Sequence, residues 1–196
     1  WLIISLLGSG NLSYSDKTSL SKTLSYILRH HPGDYNLDIA ADGSISVDKL
    51  LSALHNRKKF KSISLKDIKE VVKNDSKGRF SFLKEGKKIR ANYGHSIDGI
   101  NPDYKTVKPP EILYHGTASK FKNAILNEGL KPMNRNFVHL SKTTKEAVKV
   151  GKRRDDSPVI LKIRADEMYH QDNSFYLTGK GIYLTDFVSP EYIFIE

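Results

Sequence analysis

Cysteine is absent from the 196-residue chain, so disulfides and thiolate metal sites are excluded, and a reducing compartment, cytoplasmic or nuclear, is the expected setting. Long apolar runs are absent too. No stretch approaches the ~20 apolar residues that span a bilayer, and no membrane association is expected. The signatures of several enzyme classes are missing: there is no HExxH, GxSxG, Walker loop or GxGxxG, and His30, His95, His115 and His139 do not fall at zinc-ligand spacing. These absences argue against zinc and serine hydrolases and against a Rossmann or P-loop nucleotide site, and no metal is expected. Negative charge is in short supply: 22 Asp and Glu face 32 Lys and Arg, a net charge of +10. The excess is uneven, with residues 1–100 at +7 and 101–196 at +3, which marks the first half as the polyanion-facing one. Lysines such as Lys58, Lys59 and Lys61 equally serve solubility alone.

What is present falls into two halves. Residues 1–15 begin with the short apolar run WLIISLL and read as a tail, either a clipped targeting remnant or an added segment, outside the fold. In LSKTLSYILRHHP, Leu20, Leu24, Ile27 and Leu28 recur at amphipathic-helix spacing and Pro32 ends the run. Projected at 100° per residue, Arg29 and His30 point away from the apolar stripe, while His31 falls back over it and reads as a packing histidine. Ser46 caps a second helix with Leu50, Leu51 and Leu54 inward. Ser64 and Asp67 start a third, with Leu65, Ile68, Val71 and Val72 inward. From Arg79 the period changes to two: Phe80 and Phe82 face one way, Arg79 and Ser81 the other, and the chain returns through Ile89 to Asn92 as a hairpin. Three helices and a hairpin on a basic background predict a winged-helix lobe over 16–93.

Residues 94–110 carry three prolines and no periodicity, and read as a linker. From 111 to 196 strands dominate: ILYHGT, NFVHLS, PVILKI, SFYLT, GIYLTDFV and YIFIE, with helices at Ser119 to Asn127 (Phe121, Ala124 and Ile125 inward, Gly129 just beyond) and through Ala147 and Val148 to Gly151. The class is α+β.

Arginines and histidines at strand and helix ends are the residues able to carry chemistry. Arg29 and His30 read by themselves as cations favoured at a helix C-terminus, Arg79 and Arg135 as solvated charges, and His115 and His139 as structural strand histidines. Collectively they suit phosphate, because a guanidinium offers a planar, permanently charged fork of donors.

The stretches LSYILRHHP, GRFSF, IRANYGHS, ILYHGT, RNFVHLS, VGKR, FYLT and KGIYLT, in this order from about Leu20 to Glu196, together resemble the NAD-dependent RNA 2′-phosphotransferases, a family best known for removing the splice-junction 2′-phosphate from tRNA. The resemblance implies a winged-helix N-terminal lobe and a C-terminal lobe with the ADP-ribosyltransferase fold. By motif it implies a catalytic group of Arg29, His30, Arg79 and Arg135. The NAD site would comprise His115, Gly116, Thr117, His139, Ser141, Phe175 and Ile182, with His95 and Ser96 touching RNA or phosphate. NAD is then consumed as a co-substrate, the partner is an RNA bearing a 2′-phosphate, typically tRNA, and a monomer is expected. The implied chemistry is attack of the RNA 2′-phosphate on the ribose C1″ of NAD⁺ with loss of nicotinamide. The ribose 2″-hydroxyl then attacks the transferred phosphate, leaving ADP-ribose 1″,2″-cyclic phosphate. Two departures stand out: Lys180-Gly181-Ile182 where the family has NGV, and Arg153-Arg154-Asp155 where it has RHG. Two other readings stay open, ADP-ribosylation of a terminal nucleic-acid phosphate and a non-catalytic winged-helix nucleic-acid-binding module.

Overall fold

The first helix, α1 (Tyr14–Arg29), buries the expected Leu20, Leu24, Ile27 and Leu28 but starts six residues earlier than its apolar stripe. Ser13 is the reason: its hydroxyl accepts from the Asp16 amide at 3.1 Å and starts the helix over a polar first half. The computed structural model describes residues 12–102 and 104–196. The expected tail therefore lies outside the described residues as far as residue 11, and Tyr14 and Ser15 belong to α1. At the other end His30 is already the C-cap, with φ −132°, so the helical projection does not extend to His31. His31 is exposed and stacks on Tyr26 with ring centroids 4.6 Å apart, which corrects its expected place in the core.

Helices α2 (Val47–His55) and α3 (Leu65–Lys73) begin at the expected caps, Ser46 and the Ser64/Asp67 capping box. A short β1 (Ser44–Ser46), not foreseen, joins the hairpin β2 (Phe80–Leu83) and β3 (Lys88–Ala91) in an antiparallel sheet of order β1-β3-β2. The turn passes through positive φ at Lys84, Glu85 and Gly86. The three helices and this sheet share one core, in which Leu20, Leu24, Ile27, Leu50, Ile68 and Ile89 are fully buried.

The stretch 94–110 is not a free linker. Gly94, His95, Ile100, Pro102 and Pro109 are buried, and Lys105–Thr106 form an edge strand, β4. Proline and the lack of period hid this packing, which depends on contacts remote in sequence.

The second half follows as β5 (Ile112–Thr117), α4 (Lys122–Glu128), β6 (Val138–Leu140), α5 (Thr144–Gly151), β7 (Val159–Arg164), α6 (Ala165–His170), β8 (Tyr176–Leu177), β9 (Tyr183–Thr185) and β10 (Ile193–Ile195). Two antiparallel sheets, β10-β7-β5 and β4-β8-β9-β6, meet where Tyr114 and Ser141 exchange backbone hydrogen bonds. A second core, with Leu113, Leu140, Leu161, Met168 and Phe175 at its centre, lies between these elements. Helix α6 was not foreseen, because only Ala165 and Met168 of its six residues are buried. Of the residues expected inward here, Ile125 packs on the core, joined by Leu126, whereas Phe121, just before α4, and Ala124 are exposed. The 3₁₀ turn Ser119–Phe121 before α4 shifts the helical phase. Helix and sheet together make the chain α+β. Among the described residues no helix is long and apolar enough to cross a membrane.

Gly116 sets how closely α5 approaches β5: a Cβ there would overlap the Ala147 carbonyl of α5 and lie 3.1 Å from the Gly151 amide. Gly116→Ala must therefore push helix from strand. A loss of about 1–3 kcal/mol in stability, measured by denaturant unfolding, is expected.

Candidate functional site

Arg29 closes α1 and is half-buried rather than turned out to water. Its guanidinium lies over the Tyr93 ring, Cζ 4.9 Å from the centroid, with Gly94 packed alongside at φ +85°. Nε and Nη2 of Arg29 are buried, with no hydrogen-bond partner among the described residues. Desolvation, and then Arg135 and Arg79, push the Arg29 pKa down against a favourable contribution from Tyr93. A desolvated cation with unused donors is a position waiting for an anion.

Of the other predicted catalytic residues, His30 follows it in the chain, and Arg79 and Arg135 approach from two further segments. His30 Nδ1 lies 2.8 Å from Ser96 Oγ, and the Ser96 amide donates to the Arg29 carbonyl at 3.0 Å. Burial, reinforced by Arg29, His31 and Arg135, lowers the His30 pKa, so the free imidazole is neutral at pH 7. Arg79 precedes β2, and its side chain turns back to Asp75 instead of projecting across the strand. Asp75 Oδ1 accepts from Nε at 3.0 Å and ion-pairs with Nη2 at 2.9 Å, and Oδ2 accepts from the Arg79 amide. Arg135 is exposed on the wall of a cleft of about 530 Å³ that is also lined by His30, His31, Ser96, Asp98, Met133, Asn134 and Asn136. The surrounding wall still desolvates Arg135, and Arg153 and Arg154 lower its pKa further.

His115 and His139 sit on β5 and β6, one on each side of the sheet junction. His115 Nδ1 lies 3.0 Å from the His139 carbonyl, and His139 Nδ1 lies 3.0 Å from the Phe137 carbonyl. A carbonyl only accepts, so each Nδ1 carries the proton and each Nε2 remains an acceptor. His139 Nε2 is buried with no partner among the described residues, and the ring meets Tyr93 edge-on at 6.4 Å. Desolvation, then Arg135, push its pKa down to about 3. His115 is likewise shifted down, by desolvation first.

The remaining predicted contacts divide. Ser96 is part of the cluster, whereas His95 is only 3 % exposed, offers RNA no open face, and enters through its carbonyl, which accepts from the Asn136 amide at 3.0 Å. Thr117 is 9 % exposed at the end of β5, and Ser141 is engaged with Tyr114. Ile182 is half-buried, its amide donating to Thr178 Oγ1 at 3.1 Å. Phe175 is 0 % exposed in the second core, so it supports the sheet and has no face open to a ligand. The alternating pattern of FYLT could not say which side was covered.

Residues not singled out beforehand matter as much. Asn136 donates from its side chain to the Ile97 and Ile100 carbonyls, at 3.0 and 3.2 Å, and so ties the strand of His139 to the segment of Ser96. Asp75 and Tyr93 hold the two arginines. Asp155, one of the departures, accepts from the Ser119 amide and hydroxyl and from the Ser157 amide, bracing the loop that carries Arg153 and Arg154. Lys180, the other, lays its aliphatic stem on Gly78, beside Arg79 in the chain.

The class this defines is an α+β protein in which arginines and histidines of several segments cluster beside a cleft. Residues 15–187 match the family described as RNA 2′-phosphotransferase, Tpt1 / KptA family. Among similar proteins, the "Probable RNA 2′-phosphotransferase" of Acetivibrio thermocellus is 41 % identical over 182 residues, covering 92 % of this chain and 98 % of that protein. That of Bacillus thuringiensis is 41 % identical over 183 residues, 91 % and 95 % of the two chains, and that of Trichormus variabilis 44 % over 177 residues, 90 % and 95 %. The chain belongs to the RNA 2′-phosphotransferase family.

His95 is buried neutral, its pKa pushed down to about 4 from 6.5 by desolvation, then by Arg29 and His30. The unfolded chain therefore binds more protons than the folded one below pH 6.5, so stability is full above that pH and falls on acidification toward pH 4. His139 extends the same loss to about pH 3. Unfolding free energies measured from pH 7 to 4 should fall, with His95 contributing up to roughly 3 kcal/mol, and His95→Gln should flatten the slope.

Proposed function

We propose that this chain transfers the 2′-phosphate of an RNA to NAD⁺, through an ADP-ribosylated 2′-phosphate, releasing nicotinamide and ADP-ribose 1″,2″-cyclic phosphate. The observation that carries the reading is the pair of unpartnered, buried donors on Arg29, a cation that lies in the field of Arg79 and Arg135 and next to His30 in the chain. So much desolvated positive charge fits a dianion such as a phosphate monoester. Family membership supports the same reaction class. In the proposed organisation, residues 16–93 are a winged-helix lobe that receives RNA, 94–110 the connection, and 111–196 an ADP-ribosyltransferase-like lobe that receives NAD⁺. The protein acts as a monomer in the cytoplasm or nucleus, typically on a tRNA splice junction.

NAD⁺ supplies an electrophilic ribose carbon with nicotinamide as its leaving group. The acceptor nitrogens of His115 and His139 suit ribose hydroxyls, and the unpartnered His139 Nε2 fits such a ligand. Thr117, Ser141 and Ile182 complete that side. In the first step a phosphate oxygen bonds to C1″ as the bond to nicotinamide breaks. The phosphate is its own nucleophile, so Arg29, Arg79 and Arg135 need only hold it in line. In the second step the 2″-hydroxyl oxygen bonds to phosphorus as the bond to the RNA 2′-oxygen breaks. The arginines then stabilise charge on the five-coordinate phosphorus. The hydroxyl proton is released and the RNA 2′-oxygen takes one up. His30 is the donor: a bound dianion counters the depression of its pKa, and Ser96 fixes the ring.

The test is incubation with NAD⁺ and an oligonucleotide carrying an internal 2′-phosphate. Conversion to a 2′-hydroxyl with ADP-ribose cyclic phosphate is expected. Persistence of the phosphate overturns the reading, and arrest at the ADP-ribosylated phosphate points to the terminal ADP-ribosylation chemistry instead. Arg29→Ala should lower turnover by ~100-fold or more while changing stability by less than about 1 kcal/mol, because the desolvated guanidinium leaves two of its donors without partners among the described residues and so offsets what its contact with Tyr93 contributes.

A further inference from the structure

Two guanidiniums aimed at one phosphate repel each other before it arrives, and a flexible pair would swing apart into water. Arg79 is among the charges that lower the Arg29 pKa, so the two lie within each other's field. What restrains each is different in kind. The Asp75 side chain is only 1 % exposed and accepts from Nε, Nη2 and the main-chain amide of Arg79. The loop from 75 to 79 wraps around this carboxylate, with the Lys77 amide donating to Oδ1 at 3.3 Å and the Gly78 amide to the Asp75 carbonyl at 2.8 Å. Among the described residues no partner occupies Nη1 of Arg79. Arg29 is restrained through its face, by the Tyr93 ring, and this leaves Nε and Nη2 without partners. A carboxylate there would have consumed those donors. The two restraints are joined: Tyr93 Oη donates to the Lys77 carbonyl at 2.8 Å, in the middle of the loop that Asp75 organises.

We propose that Asp75 and Tyr93 act as one positioning device, coupled through the Lys77 carbonyl, that holds Arg29 and Arg79 as a preorganised pair for the phosphate. Neither touches the reacting atoms; each acts through an arginine. The proposal rests on the phosphate-transfer reading above. It explains why the site stays assembled without its anion: electrostatic catalysis requires donors already aimed before charge develops.

Single-turnover rates with the 2′-phosphorylated oligonucleotide and NAD⁺, enzyme in excess and well below the unfolding temperature, test it in Asp75→Asn, Tyr93→Phe and the double variant. Asp75→Asn should slow transfer by ~10- to 100-fold, the range expected for a catalytic group misplaced by about 1 Å. Tyr93→Phe, which keeps the ring but loses the hydroxyl's links to the Lys77 carbonyl and to Arg29, should slow it less, and the double variant should be little slower than Asp75→Asn. In an Arg79→Ala background, Asp75→Asn should lose most of its effect on rate, keeping only the part that reaches Arg29 through Tyr93, whereas a merely structural carboxylate would lower it in full. Asp75→Glu should recover part of the loss. Additive effects, or a full-rate Asp75→Asn, overturn the proposal. Nitrogen-15 NMR of the arginine Nε–H groups reads the same coupling without turnover. Tyr93→Phe should shift the Arg79 resonance and Asp75→Asn that of Arg29, and independence of the two overturns the device. If the parent transfers no phosphate, the reaction reading fails and this measurement alone decides the proposal.

Discussion

Like charges held together in partly desolvated surroundings are the constraint around which this molecule is arranged. Arg29, Arg79 and Arg135 come from a helix end, the start of a strand and a loop, and Arg29 and Arg135 lie where burial, and then other cations, disfavour their charge. Such an arrangement costs stability, and the surrounding scaffold must oppose it. The first core secures α1 and the hairpin, so Arg29 and Arg79 leave rigid elements. The second core secures β5 and β6, and with them His115 and His139.

The seam between these parts is polar and local. Asn136 joins the loop of Arg135 to the carbonyls of His95, Ile97 and Ile100, and Tyr93 meets Arg29 on one side and His139 on the other. Gly94 turns the chain beside Arg29 in a conformation with φ +85° that favours glycine. Imidazoles beside the seam remain neutral because burial desolvates them and, to a lesser degree, because protonation would add charge to an already cationic region. Acid therefore acts on the same residues that assemble the site.

Local patterns were legible in the chain wherever the signal is local. The stripe Leu20, Leu24, Ile27, Leu28, the Ser64/Asp67 capping box and the alternation around Phe80 each correspond to an observed element, since capping and periodicity depend on residues within a turn or two. The failures have equally local causes. His31 was placed by extending a helix one residue beyond its cap, α4 by ignoring the 3₁₀ turn before it, and the stretch from 94 to 110 by equating proline with freedom. Within the site, Arg29, His30, Arg79 and Arg135 were legible as phosphate-suited groups. Asp75 was not, although it lies four residues before Arg79, because a turn carboxylate is ordinarily solvated.

The amino-acid sequence by itself determined the α+β class, the helix caps, the cationic balance and the residue types that mark the RNA 2′-phosphotransferase family, all properties of neighbours in the chain or of composition. Only the tertiary structure decided which cations remain without partners. It buried His95 and Phe175, committed Asp75 to Arg79, set Arg29 on the face of Tyr93, and left Nε and Nη2 of Arg29 and Nε2 of His139 unsatisfied. The physical reason is that desolvation and hydrogen-bond satisfaction depend on every atom packed around a group, and those atoms come from segments up to a hundred residues apart.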